Sequence, residues 1–207
     1  ATYLWDNAAS LTNANVANPV ATPTTTTTYT VTVTDGNGCT DTDQITITVN
    51  PVPTADAGPD FAICALSSIT IGGSPTSSTP GATFAWDNAA TLSSATVANP
   101  TASPTATTTY TVTVTHPNGC TATDQMTITV NPLPNADAGT DQAICLNQSA
   151  TLGGSPTGPA GATFSWTPTA SLSNSTVSNP VASPTVTTTY TVTVTDINGC
   201  TDTDDIV

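Results

Sequence analysis

The 207-residue chain contains no lysine and no arginine. Because it has no cationic side chains to neutralise phosphates, we expect it to bind no nucleic acid, and it can form no basic patch for an anionic lipid surface. Lysine chemistry, such as a Schiff base, is excluded as well. The 14 acidic residues give a formal net charge of −14, which solvent ions or bound cations must balance.

The sequence also lacks a long apolar run. No stretch approaches the roughly 20 residues of a membrane-spanning helix, so no membrane span is expected in this segment, and no stretch of it is expected to act as a signal peptide. Both ends interrupt the repeat described below, so we expect an export signal and an anchor to lie outside this segment. Hydrophobic residues make up 37% and charged residues only 7%, a balance that favours folding over disorder.

What the chain does contain is one segment written three times. Thr-Tyr-Thr-Val-Thr-Val-Thr occurs at 28–34, 109–115 and 189–195, each time followed by Asn-Gly-Cys. The same point in each copy carries a tryptophan: Trp5, Trp86 and Trp166. A spacing of about 80 residues is too long for a solenoid turn and fits an independently folding small domain.

The repeat divides the chain into three units, called beads below. The first bead, residues 1–50, is the C-terminal part of a repeat. The second, residues 54–131, is complete, and the third, residues 135–207, lacks the end of its last strand. Spacers of the form Asn-Pro-x-Pro, at 50–53 and 131–134, join them. Alternate prolines favour an extended, semi-rigid backbone, so the beads are expected to form a rod.

Alternating apolar and polar residues predict short strands in each bead. In the second bead the inward positions of one strand carry Tyr110, Val112 and Val114, with threonines facing outward. Seven short strands in about 80 residues, separated by turn signals, predict an all-β fold of tandem immunoglobulin-like sandwiches. The predicted core of the second bead, with its counterparts elsewhere, comprises Ile69, Ile71, Phe84, Trp86, Tyr110, Val112 and Val114.

Several motifs resemble a known repeat family. Ala-Asp-Ala-Gly-Pro-Asp at 55–60 and Ala-Asp-Ala-Gly-Thr-Asp at 136–141 are followed by Gly-Gly-Ser, Phe-x-Trp and Thr-Thr-Tyr-Thr-Val-Thr-Val-Thr. This order resembles the PKD-like, immunoglobulin-like repeats of bacterial surface proteins. The added Ile-Cys and Asn-Gly-Cys pair is similar to versions in giant Bacteroidetes-type adhesins, including gliding-motility adhesins. The resemblance implies an exported, surface-exposed stalk or adhesin.

The cysteines predict disulfides, and two pairings remain open. Each complete repeat has two cysteines, Cys64 with Cys120 and Cys145 with Cys200, while Cys39 is expected to have its partner outside the chain. Paired cysteines in small β domains imply an oxidising, extracellular setting. Pairing within each repeat is the default, but in a standard sandwich those two positions lie at opposite ends. The alternative is a bond between Cys64 and Cys200 across the junction of two beads, and unpaired thiols are a third outcome.

The acidic turns are candidate calcium sites. Aspartate and asparagine oxygens are the hard ligands that Ca²⁺ prefers, although an Asn-Gly hairpin turn with solvated aspartates explains the same residues. The candidate ligands are Asp35, Asn37, Asp41, Asp43, Asp137, Asp141, Asp196, Asn198, Asp202 and Asp204. No cofactor is required by the sequence, and calcium is the one it suggests.

The pattern as a whole predicts a structural or adhesive segment of a long extracellular surface protein, a stalk, filament or adhesin. The alternative function is a carbohydrate-binding accessory array of a secreted multidomain enzyme, which would need exposed aromatic side chains. No enzyme activity is expected, because the chain has no nucleophile–base pair and its single histidine, His116, occurs in one copy only. The expected partners are further copies of the same repeat, by self-association or continuation of the array, and a glycan or surface receptor.

Overall fold

The computed structural model describes all 207 residues, which form fourteen short strands and two single-turn 3₁₀ helices. The 3₁₀ turns are Ala8–Ser10 and Ala89–Thr91. No helix has the length and the apolar character that crossing a membrane would take. The chain is therefore all-β, as the alternating sequence predicts, because β-branched threonine and valine favour strands.

The first bead contains a single antiparallel sheet. Its strands are β1 (Thr2–Trp5), β2 (Thr27–Thr34) and β3 (Thr40–Ile47), in the order β1-β2-β3. The register places Val31 opposite Asp43. The turn between β2 and β3 is the Asn-Gly hairpin expected from the sequence.

The second bead has two sheets. Its strands are β4 (Phe61–Cys64), β5 (Ile69–Thr70), β6 (Thr83–Trp86), β7 (Thr101–Ala102), β8 (Thr108–Thr115) and β9 (Thr121–Asn131). One sheet has the order β4-β9-β8-β6 and the other pairs β5 with β7. The pairing of β4 with β9 is parallel, and all the others are antiparallel. This arrangement is the immunoglobulin-like sandwich predicted from the sequence.

The third bead repeats this plan. Its strands are β10 (Ala150–Thr151), β11 (Thr163–Thr167), β12 (Val181–Ala182), β13 (Tyr190–Thr195) and β14 (Thr201–Ile206). β11-β13-β14 form one sheet and β10-β12 the other. Residues 142–145, the counterpart of β4, form no strand here. The Gln142 N–H donates to the carbonyl of Val207, the residue after β14, at 2.9 Å.

The complete bead has six strands rather than the seven that the sequence predicted. The sequence predicts short strands beginning at Leu92 and at Val97. Leu92 instead forms one isolated bridge with Ala102, and Val97 lies in a bend, so that the next strand begins only at Thr101. The residues that follow Leu92 bend away, so pairing ends after that single bridge. The difference changes the edge of the smaller sheet and leaves the sandwich intact.

The predicted core of the second bead is confirmed. Ile71, Trp86, Tyr110, Val112 and Val114 are buried in one cluster. Phe84 and Ile69 pack against it and are half-buried. An equivalent cluster fills the third bead around Trp166.

The first bead is more open than its two counterparts. Tyr29 is buried, but Trp5 and Val31 are only half-buried. Ile45 is 54% exposed, whereas Met126 and Ile206, at the same position of their beads, are each 1% exposed. The reason is structural: the first bead has no counterpart of β4, β5 and the segments around them to cover this face of the sheet.

Candidate functional site: the junction between the second and third beads

A disulfide joins the second bead to the third. Cys64 and Cys200 are bonded with an S–S distance of 2.04 Å and a Cα–Cα distance of 5.5 Å, across a sequence separation of 136. Both the bond length and the Cα–Cα distance are ordinary for a protein disulfide. The bond therefore links two beads that are consecutive in the chain.

The strand pairing explains why Cys64 lies at this junction. β4 runs parallel to β9, and the register places Cys64 beside Asn131, the last residue of β9. The Ala65 N–H extends the contact by donating to the Asn131 carbonyl at 2.8 Å. Asn131 is also where the proline spacer leaves the bead. Cys64 is thus held at the exit of the spacer.

Cys200 lies close to the point at which the same spacer enters the third bead. It immediately precedes β14, and the Asp202 carboxylate in that strand accepts the Ala136 N–H at 3.0 Å. Ala136 follows the spacer by two residues, and Pro134 within the spacer is buried. The spacer and the disulfide are therefore two neighbouring connections across one junction.

The within-repeat pairing, Cys64 with Cys120 and Cys145 with Cys200, is not the one present. Cys120 precedes β9, whereas Cys64 sits at the end of β9, beside Asn131. At about 3.3 Å per residue, the strand carries Cys120 roughly 35 Å from that point, far beyond the reach of a disulfide. Cys39, Cys120 and Cys145 are free in this structure.

The hairpin turns that carry the cysteines are organised by a carboxylate. In the first bead, Asp35 Oδ1 accepts the N–H groups of Asn37 at 2.8 Å and of Cys39 at 2.9 Å. These hydrogen bonds, that of Cys39 foremost and then that of Asn37, hold the pKa of Asp35 below its ordinary value, because they stabilise the ionised carboxylate. In the third bead Asp196 Oδ1 accepts the N–H groups of Asn198 and Cys200 in the same way.

Other candidate calcium ligands connect the N-terminal segment of a bead to its last strand. We call such a hydrogen bond, from a backbone N–H of one segment to an aspartate carboxylate of the other, a latch. Asp204 Oδ2 accepts the Ala138 N–H at 2.8 Å, as Asp202 does for Ala136. Asp141 Oδ1 accepts the Val207 N–H at 3.0 Å, which connects the same two segments in the opposite direction. These carboxylates fasten the Ala-Asp-Ala-Gly segment to the last strand.

The remaining candidates make local contacts. Asp137 Oδ1 accepts the Gly139 N–H at 2.9 Å. Asp41 and Asp43 accept only the N–H of the next residue, Thr42 and Gln44. No three His, Cys, Asp or Glu side chains of the chain converge where they could hold a metal ion. Calcium binding stays a prediction.

The structure adds two latches, formed by Asp124 and Asp60, that the candidate set lacked. Asp124 Oδ2 accepts the N–H of Ala57 at 2.8 Å, the equivalent of the contact between Asp204 and Ala138. Asp60 Oδ1 accepts the Thr127 N–H at 2.7 Å beside it. The signal in the sequence was an aspartate four residues after the cysteine in every copy, at 43, 124 and 204.

Trp86, Tyr110 and Trp166 belong to the cores of the second and third beads. The Nε1 atoms of Trp86 and Trp166 donate to the carbonyls of Val97 and Val177 at 3.0 and 3.1 Å. The Tyr110 hydroxyl lies 2.7 Å from that of Thr91. Because the rings of Trp86, Trp166 and Tyr110 are buried and their polar atoms are paired, these three offer no face on which a sugar could stack.

Two clefts flank these features. One of 540 Å³ is lined by residues 132–135 and Asp137, by Pro156 and residues 158–160, and by the hairpin residues Asp196 and Ile197. The other, of 570 Å³, lies in the third bead and is mainly apolar, with Cys145 and Leu152 in its wall. Cys145 is therefore accessible from solvent.

No protein-family model and no curated protein sequence matches the chain. Among solved structures, the insect immune protein hemolin is similar over 99% of this chain and 66% of its own, with 13% identity and a TM-score of 0.39. The two-domain structure of DIP-gamma is similar over 75% of this chain and 96% of its own, with 12% identity and a TM-score of 0.34. A SusE-like surface located polysaccharide binding protein from Bacteroides thetaiotaomicron is similar over 87% of this chain and 42% of its own, with 12% identity and a TM-score of 0.41. Similarities at this level carry no information about function.

Proposed function

We propose that the chain is a structural and adhesive segment of a long extracellular surface protein, a stalk or filament built from PKD-like beads. The observation that carries the proposal is the bond between Cys64 and Cys200, which ties one bead to the next. A covalent tie between consecutive beads serves a protein that must transmit force or hold its length.

The mechanical argument follows from having two connections at one junction. A four-residue spacer alone lets two beads pivot about it, even when alternate prolines stiffen it. A second covalent connection, anchored at Cys64 on one bead and at Cys200 on the other, removes much of that freedom. The same arrangement repeated along an array gives a stiff rod.

The chemistry of the bond supports an extracellular location. Disulfides form and persist in oxidising compartments and are rare where glutathione keeps thiols reduced. The net charge of −14 with no cationic residue suits the same location, since a surface of one sign resists non-specific association. The partners proposed here are further beads of the same kind and a surface receptor or glycan.

The alternative, a carbohydrate-binding accessory array, has no observation in its favour. It needs aromatic faces exposed to solvent, and the Trp86 and Trp166 side chains are 5% and 0% exposed. The proposed role is accordingly mechanical.

Small-angle X-ray scattering of the purified chain tests the proposal. A compact globule of this length would have a radius of gyration of roughly 17 Å, whereas three beads in line would have roughly 26 Å. We expect the larger value for the wild type and a broader distance distribution for Cys200→Ser. The matched control is Cys120→Ser, which alters the equivalent cysteine of the second bead and should scatter like the wild type. A wild-type value near that of the globule would contradict the rod, and added Ca²⁺ or chelator tests the calcium prediction in the same samples.

A further inference from the structure

We propose that the bond between Cys64 and Cys200 is a covalent load path, which carries tension along one edge of the second bead and past its folded core. In this role the bond limits how far the two beads can be drawn out when tension is applied to the chain. The inference deepens the stalk function proposed above and rests on it.

The bond closes a loop that holds most of the second and third beads. Cys64 and Cys200 are 136 residues apart in sequence, but their Cα atoms lie 5.5 Å apart. The shortest covalent route along the chain therefore crosses the bond and skips residues 65–199. Because a chain extends only as far as its shortest covalent route allows, the skipped residues cannot be stretched while the bond is intact.

The part of the second bead that remains on this route is residues 54–64, called the load segment below. From Ala57 onward the load segment runs parallel to β9. Its partners on β9 are 67 residues further along the chain at both latches, those of Asp124 and Asp60, and throughout the pairing of β4 with β9. A constant separation means that the load segment advances by one residue for each residue of β9.

The load segment therefore has little length left to give. A strand rises by about 3.3 Å per residue, and a fully extended chain reaches at most about 3.6 Å per residue. Because the load segment keeps pace with a strand from Ala57 to Cys64, tension along it meets covalent bonds after a small extension.

In the third bead the route follows β14. Cys200 immediately precedes this strand, so tension that crosses the bond passes directly into it. β14 is itself extended over Thr201–Ile206. The route is thus extended on both sides of the bond, and the two cores lie beside it rather than within it.

The position of Cys64 decides which contacts the bond protects. Without the bond, tension enters the second bead through the load segment and leaves through the spacer after Asn131, so it pulls two parallel strands, β4 and β9, in opposite directions. Only hydrogen bonds and packing would then resist the tension. With the bond, most of the tension leaves through Cys64, which lies beside Asn131. A covalent connection thereby replaces a non-covalent resistance.

Single-molecule force spectroscopy of the full chain tests the proposal, with handles attached by peptide ligation to its two terminal residues. At about 3.4 Å per residue, we expect the oxidised wild type to reach a limit of roughly 240 Å and Cys200→Ser to reach roughly 700 Å, a three-fold difference. Cys120→Ser is the matched control and should stop at the wild-type limit, because Cys120 lies on the skipped part of the chain and is free.

Reduction under load gives a second measurement on a chain that has folded with its bond in place, so it does not depend on the folding of Cys200→Ser. The wild type is held at its limit, at a force that unfolds the variant, and a small dithiol is added. We expect the length to increase by roughly 450 Å as the skipped residues are released.

The dithiol supplies the two electrons for this reduction. One of its thiolates attacks the sulfur of Cys64, since Cys64 is half-buried and Cys200 is only 1% exposed, and expels the Cys200 thiolate. Its second thiolate then attacks the sulfur that the reductant contributed to this mixed disulfide and expels the Cys64 thiolate. The protein gains two thiols, and the reductant leaves as a cyclic disulfide.

Three results would overturn the proposal: an oxidised wild type that reaches the length of Cys200→Ser, a Cys200→Ser chain that stops at the wild-type limit, or a wild type that does not lengthen on reduction. A Cys120→Ser chain that passes the wild-type limit would overturn it too, since the lock would then run through Cys120. These outcomes are separable from that of the stalk proposal, because scattering reports the shape of the chain without load, whichever route carries tension.

Discussion

The latch between Asp124 and Ala57 should be a main contribution to the stability of the second bead. Ala57 is completely buried, and its N–H donates to Asp124 Oδ2 at 2.8 Å. Asp124→Ala removes the acceptor and leaves a buried N–H without a partner. A hydrogen bond to a charged group is worth about 1.5–3 kcal/mol, so we expect the free energy of unfolding of this bead to fall by about 2 kcal/mol.

The first bead supplies a matched control. Asp43 occupies the same register, opposite Val31 as Asp124 is opposite Val112. Its carboxylate is exposed and accepts only the N–H of the adjacent Gln44. Asp43→Ala should therefore change the stability by less than about 0.5 kcal/mol.

Two measurements read out this difference. In calorimetry the transition of the second bead should shift down by about 8–16 °C, since a bead of this size loses about 4–8 °C per kcal/mol. In hydrogen exchange the Ala57 amide should exchange roughly 30-fold faster, because each 1.4 kcal/mol is a factor of ten. Asp124→Asn retains a neutral acceptor, so its loss of stability should lie between zero and that of Asp124→Ala. If Asp124→Ala and Asp43→Ala lower the stability equally, or if neither does, the latch has no such role.

Three further predictions concern Trp166, Asp35 and Cys200. Trp166→Ala should lower the free energy of unfolding of the third bead by about 3–5 kcal/mol, because the side chain is fully buried, as calorimetry would show; an unchanged transition would contradict its place in the core. The hairpin contact of Asp35 should be complete above its unfolded pKa of 3.8 and be lost as the pH falls through its lowered folded pKa, seen as a shift of the Cys39 amide resonance; a midpoint above 3.8 would refute this. Cys200→Ser should cost roughly 4–5 kcal/mol from the loop-closure entropy of a 136-residue separation, whereas Cys120→Ser should cost far less in the same denaturant titration.

The sandwich and its core were predictable because they depend on local alternation. Tyr110, Val112 and Val114 alternate with threonines, and a strand turns every second side chain to one face. The burial of these residues therefore followed from the sequence of one strand. The isolated bridge at Leu92 could not be predicted in this way, because the length of pairing at a sheet edge depends on how the following turn bends.

The disulfide could be narrowed to two pairings and no further. The choice depends on where β4 lies along β9, and the parallel register that puts Cys64 beside Asn131 is a contact between segments about 65 residues apart in sequence. The latches were missed for a similar reason. In the sequence, Asp124 and Asp204 resemble solvated strand residues. Their partners are backbone N–H groups at the other end of the bead, and a backbone N–H has no sequence signature.

The central claim is that a disulfide staples consecutive beads, and disulfide mapping tests it most directly. The chain should be purified with its free thiols alkylated, cleaved with chymotrypsin because it offers trypsin no site, and analysed without reduction by mass spectrometry. The account predicts a linked peptide pair containing Cys64 and Cys200, with Cys39, Cys120 and Cys145 alkylated. Linked pairs of Cys64 with Cys120 and of Cys145 with Cys200 would contradict it.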